Sequence, residues 1–332
     1  MKVPARQFVS RVHHRTLTVV LLIIVATLLE LSAVAGLAYV AGFSRVRASL
    51  GHFHPVWLAA LVGALGISFA GYYYAYQGVF TVEDGPNLTS RQMRAVVVAG
   101  FGGFFAHGAG KLDQYALMAA GAGDDEARAR ISAMAGMEYG VLALGGTATA
   151  IATLASGLNV PPDFTVPWAV VPVPGFLLAF WFAERYRNRF RGQPGWRSGL
   201  GTFLRSVHLI RELFARPLRW GWAVLSMALF WAADGFSLWA GLAMFGFKMN
   251  GAALFVGFAT GAVFTRRTGP LGGAGVLTLV LPLTTWYCGA PLPVAVVGVF
   301  AYRLLAFWLP MPVSMAALPT LRTMVKDRLW LV

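Results

Sequence analysis

This sequence predicts an all-α polytopic membrane protein, and three observations lead there. Of its 332 residues, 58% are hydrophobic and only 12% are charged, whereas soluble domains carry charge at roughly a quarter of their positions. Apolar runs of spanning length alternate with short basic segments. Two further apolar runs are broken by glycine, proline and cations where a spanning helix would be continuous. The expected architecture is a single integral membrane domain, 1–332, with about six spanning helices and two re-entrant broken-helix hairpins in an inverted repeat. The net charge of +14 would point to nucleic acid in a soluble protein. Here the cations lie between apolar runs, which fits the positive-inside rule and attraction to anionic headgroups. Membrane lipids are therefore the expected partners and nucleic acid is not; oligomeric state is left open. The single cysteine, Cys288, excludes an internal disulfide.

The first fifteen residues carry Lys2, Arg6, Arg11 and Arg15 ahead of an apolar run from Leu17 to Leu29. A cleaved signal peptide ending near Ala33-Val34-Ala35 is one reading. Apolar character resumes through Phe43, however, so the expectation is a first spanning helix with Glu30 inside it. Such a carboxylate either makes a hydrogen bond within the bundle or serves as a proton or substrate group. His54 to Phe80 gives a second span, with Trp57 near one end and Tyr72, Tyr73, Tyr74 and Tyr76 near the other, as in an interfacial aromatic belt. The Asn87-Leu88-Thr89 triplet matches a glycosylation acceptor and is given no weight.

The first broken run is VVVAGFGGFFAHGAGKLDQYALMAAGAG, interrupted by Gly108, Gly110, His107, Lys111 and Asp113. Asp124, Asp125 and Glu126 then suit the first turn of a long helix, where carboxylates complement the helix dipole. A proline-rich stretch leads into a helix ending near Ala183, and a strongly basic segment, 185–219, follows. Phe203, Val207, Ile210 and Phe214 recur there at helical spacing against Arg205, His208, Arg211 and Glu212, which predicts an amphipathic helix lying in the headgroup layer. Trp220 to Phe247 spans again, with Asp234 at its centre.

The second broken run extends from Gly251 to Pro310 and is interrupted by Arg266, Arg267, Pro270, Gly272, Gly273 and Gly275. Gly251 to Phe264 is too short for the roughly 20 residues of a span. Backbone freed at membrane depth must be buried in protein or line a wet cavity, so this run is expected to enter, turn and return. The bland alternative is two short helices joined by a basic turn. Setting Gly108-Ala109-Gly110-x-Leu112 on Gly273-Ala274-Gly275-x-Leu277 carries Glu138 onto Arg303. The two halves, with cores at 91–158 and 251–318, share this punctuation rather than many identities.

Gly272-Gly273-Ala274-Gly275-Val276, a Gly-Ala-Pro turn, Tyr302-Arg303-Leu304-Leu305 and Trp308-Leu309-Pro310 together resemble the lysylphosphatidylglycerol synthase transmembrane region, a flippase-like family of integral membrane proteins. The resemblance runs from about Arg91 to Pro310. That family's turn reads Pro-Gly-Gly-x-Gly with Glu three positions later; here Leu271 intervenes and Thr278 stands in place of the Glu. In the first half, Lys111 replaces the turn glutamate and Tyr139 the arginine after Glu138. The resemblance implies a lipid or lipid-linked substrate moved between leaflets. The family's soluble aminoacyl-transferase domain has no counterpart here, so no aminoacyl transfer is expected.

Inverted repeats with broken helices meeting near the midplane are the architecture of secondary transporters. The candidate substrate-binding residues are Arg266, Arg267, Arg303, Glu138, Lys111, Asp113, His107, Asp234 and Glu30, the arginines offering fixed charge for a phosphate. Glu138 and Arg303 are expected to pair across the pseudo-two-fold axis; the alternative has Arg303 on a substrate phosphate and Glu138 in a polar pocket. No nucleotide-binding phosphate loop, metal-ligand cluster or cofactor motif occurs. The competing readings are an intramembrane enzyme on a lipid or polyprenyl phosphate, using Lys111, Asp113 and His107, and a non-transporting scaffold. With both termini in the cytoplasm the basic segment falls inside and the proline loop outside, at the cost of placing Arg45 and Arg47 outside. A cysteine at Gly123 is then expected to label only from the cytoplasm and one at Asn250 only from outside. Labelling of both from one face removes the inverted repeat.

Overall fold

The computed structural model describes residues 16–100, 109–186, 189–190, 196–263, 274–314 and 316, and among them every regular element is helical. α1 (Thr16–Ala41) is predominantly apolar, with Glu30 within it, and is followed by the short α2 (Phe43–Leu50). α3 (Pro55–Thr81) begins on a proline, whose missing N–H costs nothing in a first turn. Next come α4 (Ser90–Gly100) and α5 (Ala109–Ala119), which pack on one another as a pair of short helices. Thr89 and Gln92 close a reciprocal capping box at the start of α4: Thr89 N donates to Gln92 Oε1 at 2.9 Å and Gln92 N to Thr89 Oγ1 at 3.3 Å.

α6 (Asp124–Ala155) is the longest helix, at 32 residues. α7 (Pro162–Val170) and α8 (Pro172–Tyr186) form one span interrupted at Val171, ahead of Pro172, which has no N–H to continue the hydrogen-bond ladder. α9 (Trp196–Ala215) is the expected amphipathic helix, and α10 (Pro217–Ala243) spans. α11 (Gly251–Ala262) and α12 (Val276–Tyr287) are the second short pair, 12 residues each. α13 (Leu292–Arg303) runs into a π turn, Leu304–Trp308, where Leu309 N bonds Leu304 O at 2.9 Å. Pro310 accounts for it: without an N–H it cannot continue the ordinary ladder.

Five stretches are long and apolar enough to cross a bilayer: Leu21–Ala41, Pro55–Asp84, Pro162–Tyr186, Pro217–Ala243 and Leu292–Ser314. Leu28, Val40, Leu177, Leu178 and Leu225 are exposed on them, a surface suited to lipid rather than water. The chain is thus an all-α polytopic membrane protein. The sixth expected crossing, α6, has the length but not the composition. It packs against α3, α5 and every helix from α7 to α11. A helix surrounded by protein has no need of an apolar exterior, and small and polar residues are what its interfaces favour.

The largest helix contact joins α3 to α10, antiparallel. A Cβ on Gly71 would lie 2.6 Å from Ser226 O, and one on Gly78 would lie 2.2 Å from Ala223 Cβ. In lipid, where the solvent is as apolar as leucine, such close backbone approach is what drives association. α11 and α12 approach in the same way: a Cβ on Gly257 would meet Thr284 O at 3.0 Å, and one on Gly261 would meet Leu281 Cδ1 at 2.7 Å. These contacts run in opposite order along the two helices, so the pair is an antiparallel hairpin.

The two hairpins open at opposite ends of the bundle. Gln114 of α5 bonds Asp124, and Glu126 lies with Glu83 at the far end of α3. By contrast Asn250, which caps α11, follows Met249, whose carbonyl Trp239 bonds, close to where His54 N bonds Met244 O at the near end of α3. The packing yields a stability prediction. Gly71→Leu is expected to cost about 1–3 kcal/mol by forcing α3 and α10 apart, read as a lowered melting temperature in detergent; unchanged melting would mean the helices are not in this contact.

Candidate functional site

α6, α10 and α11 line an open groove with a volume of about 820 Å³, its walls including Val141, Gly145, Ala148, Trp231, Phe236 and Phe255. Its wall is almost wholly apolar, with Thr149 the main polar contributor. The volume falls within the range of small-molecule sites. Glycines shape it: a Cβ on Gly145 or on Gly235 would lie 3.0 Å from the Phe255 ring, so the ring fits only because both positions lack a side chain. Indole nitrogens fix the rim, Trp231 Nε1 donating to Glu138 O at 2.7 Å and Trp239 Nε1 to Met249 O at 2.8 Å.

Buried carboxylates cluster in the same bundle, three of them taking a tyrosine hydroxyl. Tyr72 donates to Glu138 Oε2 at 2.9 Å, Tyr76 to Asp113 Oδ2 at 2.8 Å and Tyr302 to Asp234 Oδ1 at 3.0 Å. Two of these tyrosines come from the group that the sequence assigned to an interfacial belt. Tyr72 and Tyr76 instead lie on the buried face of α3, four residues apart, while Tyr74 is exposed.

Another buried carboxylate, Glu30, corrects the expected pairing. Arg303 bonds Glu30 and not Glu138: its Nε donates to Oε1 at 3.1 Å and its Nη2 to Oε2 at 3.4 Å. The same carboxylate accepts Gly275 N at 3.0 Å, at the N-terminus of α12. Gly275 holds φ 77, a conformation that a side chain would disfavour. Phe307, brought round by the π turn, stacks 4.3 Å from the Arg303 guanidinium. The equivalence of Glu138 and Arg303 by sequence offset thus does not become a contact, because α1, outside both repeats, supplies the counter-charge.

A second polar centre was not singled out from the sequence. Arg130, only 1% exposed, donates from one nitrogen to Val79, Phe80 and Val82 carbonyls at 2.9–3.0 Å, closing the end of α3. A Cβ on Gly85 would lie 2.3 Å from that guanidinium, so only glycine admits it. Arg130 Nη2 also meets Glu126 at 2.7 Å, and Arg205 of α9 bridges Glu126 to Glu83. Burial opposes the Arg205 charge, but hydrogen bonds and the charges of Glu126 and Glu83 outweigh it and hold its pKa above the ordinary value. His208 Nε2 lies 2.9 Å from Glu83 Oε1. The α9 helix therefore turns His208 and Glu212 inward, both buried, and leaves Phe203 exposed. This amends the expected division of its faces: Val207 and Ile210 of the apolar stripe are buried as expected, but the paired His208 and Glu212 are buried with them. Glu83, His208 and Glu212 lie within 4.8 Å of one another at their ligand atoms, but Arg205 and Arg216 already neutralise the two carboxylates.

Of the remaining candidates, Arg266, Arg267, Pro270, Gly272, Gly273, His107 and Gly108 lie outside the described residues. Gly110 and Lys111 fall in the first turn of α5. No protein-family model matches the chain, and no curated protein matches it.

A double-mutant cycle checks the corrected pair. Glu30→Gln or Arg303→Met alone is expected to cost about 3–5 kcal/mol, and the double variant far less than their sum. Glu138→Gln and Arg303→Met are expected to be additive. Coupling of Arg303 to Glu138 in detergent melts would restore the original pairing.

Proposed function

We propose that this chain is a flippase-like translocase of a lipid or lipid-linked substrate in the cytoplasmic membrane, with both termini in the cytoplasm. The observation that carries the reading is the apolar groove between α6, α10 and α11, which offers room for hydrocarbon in a bundle that also holds buried carboxylate–tyrosine pairs. Hydrocarbon chains gain little by leaving lipid for an apolar wall, so specificity in such a site must come from polar groups beside it. The polar groups nearest in the chain are Glu138 and Asp234: Trp231 of the wall bonds the Glu138 backbone carbonyl, and Gly235 of the wall follows Asp234, while the two carboxylates themselves face Tyr72 and Tyr302 behind it. Hairpins opening at opposite ends support alternating access, since each can loosen without unseating the α3–α10 pair. The glycine turn and the Tyr302-Arg303-Leu304-Leu305 helix, resembling the flippase-like family, favour lipid over a soluble solute.

In reconstituted vesicles, leaflet-specific quenching of headgroup-labelled lipid is expected to show protein-dependent exchange between leaflets. Ala148→Trp and Ala232→Trp, which fill the groove from α6 and α10, are expected to slow that exchange at least tenfold with melting temperature unchanged. Vesicles in which the wild-type chain moves no lipid would sink the translocase reading and favour a scaffold.

A further inference from the structure

At the middle of the bundle, α12 begins with three features aimed at one point. Gly275 N donates there, and the next amides of the first turn have no intrahelical partner. Arg303, 4% exposed, presents Nε and Nη2 as a fork. Thr278, 1% exposed, lies beside the Glu30 carboxylate, yet its hydroxyl makes no well-formed hydrogen bond to it. An orphaned hydroxyl at that depth is costly, and it marks a site built to accept more than the one carboxylate that fills it.

The element supplying that carboxylate is loosely held. Among the described residues, the main helix contacts of α1 are with α2, α12 and α13. Its apolar contacts, through Leu22, Ile23 and Ala26 to Ala274, Phe307, Trp308 and Met311, form a small cluster separate from the main core. Most of its spanning stretch is exposed.

We propose that the α12 N-terminus, Thr278 and Arg303 form an oxyanion site that takes a phosphate, and that Glu30 is its resident competitor, exchanging with the ligand as α1 shifts. A phosphate has more acceptor oxygens than a carboxylate, enough to engage the amides, the guanidinium fork and the Thr278 hydroxyl together. Glu30 keeps Arg303 from standing as an unpaired charge when the site holds no ligand. That the phosphate belongs to a lipid headgroup rests on the translocase reading; the site itself does not.

The test melts the purified full chain in neutral detergent against phosphatidylglycerol, phosphatidylcholine and inorganic phosphate. Glu30→Gln is expected to melt below wild type and to recover saturably with phosphatidylglycerol but not phosphatidylcholine, while Glu30→Gln/Arg303→Met gives no recovery. Recovery with inorganic phosphate at similar concentration would support the site with a free phosphate as its ligand. Thr278→Val, which keeps Glu30 and Arg303 paired and removes an unsatisfied hydroxyl, is expected to melt at or above wild type yet lose several-fold in preference for phosphatidylglycerol over phosphatidylcholine. This variant decides the matter should Glu30→Gln fail to fold. Absence of recovery, recovery that survives in the double variant, or unchanged lipid preference in Thr278→Val would overturn the proposal. Recovery by anion without lipid movement in vesicles would sink the translocase reading and leave this site standing.

Discussion

A guanidinium in the middle of a bilayer cannot stand alone, and the architecture around α12 and α13 follows from that constraint. Arg303 sits near the centre of the Leu292–Ser314 span, and Glu30 near the centre of Leu21–Ala41. Their bidentate contact fixes α1 against a hairpin to which it otherwise has few apolar ties. The carboxylate also answers the backbone at the break between α11 and α12, where a helix begins at membrane depth with amides that lipid cannot satisfy. The π turn completes the arrangement by bringing Phe307 over the cation.

The opposite end of α3 solves a related problem by different means. There the chain leaves the helix through Glu83 and Asp84, both at positive φ, and the freed carbonyls are taken up by Arg130. Glu83, strained but paired with Arg205 and His208, ties α9 to the bundle. α9 is therefore docked through buried polar groups as well as through Leu209, Ile210 and Leu213 in the core, although its apolar periodicity suggested a helix resting on headgroups. Between these ends α6 packs against protein along most of its length, with Gly145 and Thr149 lining the groove and Ile151 and Leu154 exposed near its C-terminus.

Class and punctuation were legible in the sequence because they depend on solvent and local chemistry. Hydrocarbon demands apolar runs of a given length, so four of the six expected spans could be read from composition with little loss: Glu30's helix, the tyrosine-rich helix, Asp234's helix and the last one. The broken runs were legible for the same reason, since eleven or twelve helical residues cannot cross and glycine or proline must mark where they stop. The proline-rich stretch was harder: the loop expected there is helical from Pro162, because proline suits a first turn.

What the sequence determined by itself was an all-helical membrane chain with two interrupted segments and a handful of buried charges. The tertiary structure decided how those charges are partnered. Repeat spacing set Glu138 on Arg303, but spacing fixes equivalence and not proximity. Glu138 went to Tyr72, and Arg303 reached Glu30, which lies before both repeats in the chain. Likewise no local pattern could single out Arg130, since its three carbonyl partners lie some fifty residues away, on α3 and the turn that ends it. The reason is range: propensity and hydropathy act within a few turns of helix, whereas a buried charge is satisfied by whichever polar group the packing of distant helices brings within three ångströms.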